Sequence, residues 1–223
     1  MTSPELSLVH LVRQPAQPSE RPPLLILLHG VGSNEHDLFS LAPALDGRFL
    51  IVSARAPNTR APGSYAWFAV TFTPQGPVID ADQAERSRQT LIRFIGAACA
   101  AYGADPARVF LMGFSQGAIM SASVALTEPE LVAGAVLISG RILPEIRELI
   151  APRERLAGKP LLVQHGTADT VLPIQHGRAS RALLEQLPVR LSYHEHPIGH
   201  EISQASLGQA SAWLSGELDA LAS

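Results

Sequence analysis

Short apolar runs punctuate the chain, and stretches with helical spacing lie between them. Leu24–Leu28, Phe49–Ser53, Val109–Met112, Leu131–Ser139 and Pro160–Gln164 are nearly continuous in aliphatic and aromatic residues. Runs of this length without alternation predict strands buried on both faces. Glu5 to Arg13 alternates loosely and predicts an edge strand, and Val189 to Glu195 predicts the last strand. Helical spacing covers Asp37–Leu45, Ala81–Tyr102, the stretch from Gln116 to about Glu128, and Pro144–Ile150. It returns from Pro173 to about Leu187 and from about Ser203 to Leu221. Buried strands alternating with helices predict one α/β domain over residues 1–223, a mostly parallel central sheet with helices on both faces. In such sheets ligands bind at the carboxyl ends of the strands.

Two segments do not fit the alternation. Gln14 to Pro23 holds four prolines and reads as a connection. Arg55 to Asp80 carries Pro57, Pro62, Pro74, Pro77, Gly63 and Gly76 together with Tyr65, Trp67, Phe68 and Phe72. Long connections inside compact domains are usually functional, and the aromatics argue against disorder. This stretch is expected to lie as a loop over the site, with Trp67 and Phe68 lining an acyl pocket and Phe114 contributing.

The Val109 run stops at Gly113-Phe114-Ser115-Gln116-Gly117, and small residues follow. Gly-x-Ser-x-Gly between a strand and a helix is the nucleophile elbow of α/β-hydrolases. A serine on so tight a turn sits in strained backbone, and the flanking glycines remove side chains that would collide. The first helical turn then aims free N–H groups at the serine oxygen. The pattern alone would match by chance in about one chain of this length in ten. A base and an acid must therefore follow in the order Ser, Asp, His.

The histidines beyond the elbow are His165, His176, His194, His196 and His200. His176 falls within a helix, and His194 and His196 share one face of a strand. His200, in the loop after that strand and beside Gly199, is the candidate base. Asp169, in the turn after the Pro160 strand, is the candidate acid, which would hold the tautomer of His200. The alternative for Asp169 is a cap on the helix that Pro173 begins. The intervening glutamates read as solvated charges. The oxyanion donors are expected to be the backbone N–H groups of Gln116 and of Val31, which lies between Gly30 and Gly32 after the first buried strand. His29 and His165 precede glycines at strand ends and read as braces for their loops. His194-Glu195-His196 has ligand-like spacing but no convergent partners, so neither a metal nor another cofactor is expected.

These residues together make the sequence similar to the phospholipase/carboxylesterase family of α/β-hydrolases, which includes bacterial carboxylesterases and acyl-protein thioesterases. The resemblance rests on Leu28-His29-Gly30-Val31-Gly32, Arg55-Ala56-Pro57, Ala66-Trp67-Phe68, the Ser115 elbow, His165-Gly166-Thr167-Ala168-Asp169 with Pro173, and Gly199-His200-Glu201-Ile202. It covers nearly the whole chain. It implies Ser115 as nucleophile, Asp169 as acid, His200 as base, and Val31 and Gln116 as oxyanion donors. Ala69 after Phe68, and Ser33-Asn34-Glu35 after Gly32, depart from the thioesterase branch. They favour a general bacterial-type esterase, and the expected substrates are short- to medium-chain acyl esters. The alternatives are a thioesterase or lysophospholipase with the same residues, a peptidase or acyltransferase, and a binding protein on a silent fold.

Charge and composition narrow the partners. A net charge of −3 argues against nucleic acid or an anionic membrane surface. A small-molecule ester is the expected partner, and a homodimer is compatible. Cys99 is the only cysteine, which excludes a disulfide framework and reads as a buried structural thiol. With no signal-like N-terminus and no apolar run of membrane-spanning length, a cytoplasmic location without stable membrane insertion is the expectation.

Overall fold

The structure is a computed structural model that describes residues 6–73 and 76–222. Glu5, the rest of the N-terminal pentapeptide and Pro74, all read above, lie outside the described residues. In chain order the first elements are β1 (His10–Arg13), β2 (Leu24–Leu28), α1 (His36–Phe39), β3 (Leu50–Ala54), β4 (Asn58–Ala61), β5 (Ser64–Ala66), β6 (Val70–Thr73) and β7 (Gly76–Ile79). Then come α2 (Ala81–Tyr102), β8 (Val109–Phe114), α3 (Gln116–Thr127), β9 (Gly134–Ile138), α4 (Arg153–Leu156), β10 (Pro160–Gly166), α5 (Ile174–Leu184), β11 (Arg190–His196) and α6 (Gln204–Ala220).

Seven strands form the main sheet in the order β1-β3-β2-β8-β9-β10-β11. β1 alone runs antiparallel, at the edge, pairing His10 with Ala54 through Arg13 with Ile51. The other neighbours are parallel. β8 therefore lies at the centre of the sheet, with the loops after β2 and β9 on either side of its carboxyl end.

The continuous apolar runs have a direct explanation. Side chains alternate between two faces along a strand, and here both faces are covered. Leu24, Ile26 and Leu28 of β2 join a core with Leu91, Phe94 and Ile95 of α2 and much of α3. Leu25 and Leu27 join a second core with Leu38 of α1 and Leu214 and Leu218 of α6. β8 divides the same way, Leu111 to the first core and Phe110 and Met112 to the second. Each fully buried Leu or Phe contributes about 1.5–3 kcal/mol of transfer free energy. α3 is buried along its entire length, so polar spacing could not mark it. Its serines satisfy themselves, as Ser121 and Ser123 each donate to the carbonyl four residues back, at 2.9 and 2.8 Å.

The segment Arg55–Asp80 is not a plain loop. It folds as two antiparallel two-stranded hairpins, β4–β5 and β6–β7. The strands are three or four residues long, too short for a period of two to emerge. Gly63, at φ +73°, makes the first turn. Some other elements are shorter or tighter than their sequence patterns. Asp37–Leu45 is α1 followed by a 3₁₀ turn at Ala42–Ala44, Pro144–Leu149 is 3₁₀, and the ninth strand begins at Gly134 rather than Leu131. Cys99 is buried in α2, and burial pushes its thiol pKa up.

Candidate active site

Ser115 leaves β8 in a conformation that side chains rarely adopt, φ +53° and ψ −116°. Such strain costs about 1–3 kcal/mol and persists only where the surroundings enforce it. The glycines make it feasible. A Cβ on Gly117 would sit 1.8 Å from the Leu28 carbonyl oxygen, and one on Gly113 would sit 2.2 Å from the Gly117 oxygen. The turn is thus packed backbone against backbone, with no room for any other residue. The Ser115 N–H donates to Ile138 O at 2.9 Å, which ties the elbow to β9.

The Ser115 hydroxyl donates to His200 Nε2 at 2.9 Å, and His200 Nδ1–H donates to Asp169 Oδ2 at 2.7 Å. The carboxylate can only accept, so it fixes the proton on Nδ1 and leaves Nε2 as the acceptor toward the serine. The other Asp169 oxygen, Oδ1, accepts from the N–H groups of Val171 (2.9 Å) and Leu172 (2.8 Å). Asp169 does not cap α5, whose N-cap is Pro173 with no side-chain hydrogen bond; it ties the turn that precedes that helix. One oxygen organises the turn before α5 and the other faces His200. Asp169 and Ser115 are each only 5% exposed, so water does not compete for these hydrogen bonds. Gly166 allows the approach of the His200 loop, since a Cβ there would meet Gly199 O at 2.3 Å.

His29 and His165 brace loops, as their positions suggested. Ala56 N–H donates to His29 Nε2 at 3.0 Å, so the ring proton is on Nδ1, which donates to Gly30 O at 2.7 Å. The ring is fully buried, and desolvation lowers its pKa. His165 has the opposite tautomer. Its Nε2–H donates to Leu172 O at 2.7 Å, while Nδ1 packs against Gly177, where a Cβ would come within 2.7 Å.

Val31 and Gln116 both line the cavity at Ser115, and neither backbone N–H donates to a protein acceptor among the described residues. The Val31 loop is held by its neighbours. Gly32 N–H donates to Tyr65 O (2.8 Å) and Tyr65 N–H to Ser33 O (2.9 Å). Glu35 is buried and ion-paired with Arg55, whose guanidinium also stacks over Tyr65 at 4.5 Å; the Arg55 hydrogen bonds hold the Glu35 pKa down. The first hairpin is therefore the scaffold of this loop.

The cavity measures about 520 Å³ and is walled mainly by apolar side chains, among them Phe68, Val70, Ile79, Phe114, Ile119 and Leu172. Phe114 lies against the His200 ring at 4.9 Å between centroids. Trp67 corrects the sequence reading, for it is fully buried and absent from the cavity wall. Its indole N–H donates to His29 O at 3.0 Å, and its backbone N–H donates to Gln116 Oε1 at 2.8 Å. Indole burial next to a polar N–H demands such a partner. Gln116 Nε2 completes the clasp on Phe68 O at 2.6 Å. This side-chain role of Gln116 was missed, and a polar residue opening an otherwise apolar helix was its only signal. Arg141, on the cavity wall beyond β9, was also missed. His176 lies in α5 and His194 and His196 in β11. Among the described residues no cluster of His, Cys, Asp and Glu side chains converges as metal ligands, and no helix is long and apolar enough to cross a membrane.

Residues 10–217 match the family model described as Phospholipase/Carboxylesterase. The chain belongs to that family. Carboxylesterase SOBER1 of Arabidopsis thaliana is 30% identical over 120 residues, which are 53% of this chain and 52% of that protein. The match thus spans about half the length of that relative. The putative hydrolase MhqD of Bacillus subtilis is 28% identical over 190 residues, 85% of this chain and 91% of that protein. The crystal structure of the Bacillus cereus carboxylesterase matches with a TM-score of 0.82 at 25% identity, covering 96% of each chain. The family's α/β-hydrolase fold is thus the fold of this chain.

Proposed function

We propose that this family member is a serine carboxylesterase that hydrolyses short- to medium-chain acyl esters through an acyl-enzyme on Ser115. The hydrogen-bonded chain Ser115–His200–Asp169, closed at 2.9 and 2.7 Å, carries this reading. The Ser115 oxygen attacks the ester carbonyl while His200 Nε2 takes its proton. The tetrahedral oxyanion accepts from the N–H groups of Val31 and Gln116, donors worth about 3 kcal/mol of barrier each. The C–O bond then breaks, and the imidazolium delivers the proton to the departing alkoxide. Water, deprotonated by His200, attacks the acyl carbon, and the proton returns to Ser115 as the acid leaves. Asp169 stays ionised and stabilises the imidazolium. The apolar walls suit an acyl chain, and the cavity size is typical of small-molecule sites.

The test is the hydrolysis of 4-nitrophenyl esters of increasing acyl length by wild type and Ser115→Ala, with matched thioesters alongside. Turnover by the wild type and a drop of about 10⁴-fold or more in the variant is the expected result, and the length optimum reports pocket depth. Equal rates for the two proteins on every ester would sink the assignment, and a strong preference for thioesters would move the substrate class.

A further inference from the structure

Arg141 is a half-buried cation on the wall of the Ser115 cavity. Among the described residues it has neither a hydrogen-bond acceptor nor an ion-pair partner for its guanidinium. Every other arginine that is at least partly buried in this chain has one. Arg55 binds Glu35, Arg88 binds Glu85 and Thr127, Arg13 binds backbone carbonyls, and Arg108 binds Asp105. Desolvation dominates at Arg141, with Glu145 as the only carboxylate near enough to offset it. A partly desolvated guanidinium is costly unless something supplies acceptors.

The backbone holds this residue in place. Ser139 has φ +50°, its N–H donates to Gln164 O at 2.8 Å, and Ile142 N–H donates to Ser180 Oγ at 3.1 Å. Between them Gly140 presses on the elbow, where a Cβ would lie 2.6 Å from that of Ala118 and 3.3 Å from Ser115 O. Arg141 is therefore delivered to the nucleophile's flank by a fixed strand-end turn. The cavity is also electrically lopsided. Asp37, the only carboxylate on its wall among the described residues, follows β2 and accepts from Ser33 Oγ at 2.8 Å. Sheet order sets β2 and β9 on opposite sides of β8, so the positive wall lies across the cavity from Asp37.

We propose that the substrate carries a carboxylate besides its scissile ester, and that Arg141 binds this carboxylate on the β9 side of Ser115. The planar guanidinium matches a carboxylate in two parallel hydrogen bonds. Among the described residues Arg141 is the sole Lys or Arg on the cavity wall and Asp37 opposes it, so a monoanionic carboxylate fits the charge better than a dianionic phosphate. The inference rests on Ser115 being the nucleophile, and the experiment separates the two ideas.

Two substrate pairs place the charge on either half of the ester: 4-nitrophenyl hydrogen glutarate against its methyl ester, and 4-(butanoyloxy)butanoate against its methyl ester. The readout is the ratio of kcat/KM within each pair, so any general loss of activity cancels. In at least one pair the wild type is expected to favour the anion, Arg141→Gln to lower the ratio at least tenfold, and Arg141→Lys to lie between. Unchanged ratios in both pairs would overturn the Arg141 subsite and leave the Ser115 reading intact, provided the neutral esters are still cleaved and Ser115→Ala is dead. If the wild type cleaves none of them, the Ser115 reading fails separately. Calorimetric binding of the anionic esters to Ser115→Ala then decides the subsite. A tenfold weaker affinity when Arg141→Gln is added supports it, and equal affinity overturns it.

Discussion

The dipeptide His-Gly occurs at the end of β2 and again at the end of β10, and the two corners solve different problems. At His29-Gly30 the ring accepts from the Ala56 N–H and donates to Gly30 O. At His165-Gly166 the ring donates through the other nitrogen to Leu172 O. The first corner shapes a loop that offers a neutral backbone N–H, that of Val31. The second shapes a turn whose N–H groups hold a carboxylate, Asp169. The tautomer is chosen by the partner, because a backbone N–H must donate and a carbonyl must accept. The same two residues at equivalent strand ends therefore shape a loop that turns a backbone N–H to the cavity in one place and a turn that holds a carboxylate in the other.

The comparison breaks most visibly at the β10 corner. Asp169→Asn keeps the shape but lets the amide donate, so His200 loses the tautomer that accepts from Ser115. The expected loss in kcat is about 10⁴-fold, with little change in KM. A loss below tenfold would remove Asp169 from the mechanism. At the β2 corner the matching change is Val31→Pro, which deletes the N–H itself. Here kcat is expected to fall about 10²–10³-fold, with folding checked by circular dichroism. An unchanged kcat would take Val31 out of the oxyanion site.

The smallest effect concerns pH. Burial holds the folded pKa of His29 below its ordinary value of 6.5. Below that pH the unfolded chain binds a proton that the folded ring refuses, so His29 lowers stability as the medium is acidified and contributes nothing above it. His176 and His194 act in the same direction, also chiefly through burial. Urea denaturation of wild type and His29→Leu at about pH 7.5 and about pH 5.5 measures this share. The wild type is expected to lose more stability between the two conditions, and equal losses would show that His29 carries none of the acid sensitivity.

Several features were legible before any coordinates. Leu24–Leu28 and Val109–Met112 could only be strands covered on both sides, and the spelling of the Ser115 elbow follows from steric exclusion that the structure measures at 1.8 and 2.2 Å. Ser115, Asp169 and His200 could be chosen because each follows a strand end, and the fold brings such ends to one edge of the sheet. The hairpins between Arg55 and Asp80 were not legible, because strands of three or four residues carry no periodicity. Trp67 misled for a related reason. An aromatic in a segment expected over the site was read as a pocket wall, whereas its indole N–H required the buried His29 carbonyl and drew it behind the loop.

The sequence by itself determined the layer architecture, the order of the strands' chemistry and the identity of the three hydrogen-bonded residues. All of these follow from local steric limits and from which faces must be apolar. Only the tertiary structure decided which ring nitrogen His29, His165 and His200 protonate, that Gln116 clasps Trp67 and Phe68, and that Arg141 has no partner among the described residues on the wall of the Ser115 cavity. Those facts depend on which polar groups from distant segments meet once water is excluded, and no local pattern encodes that meeting.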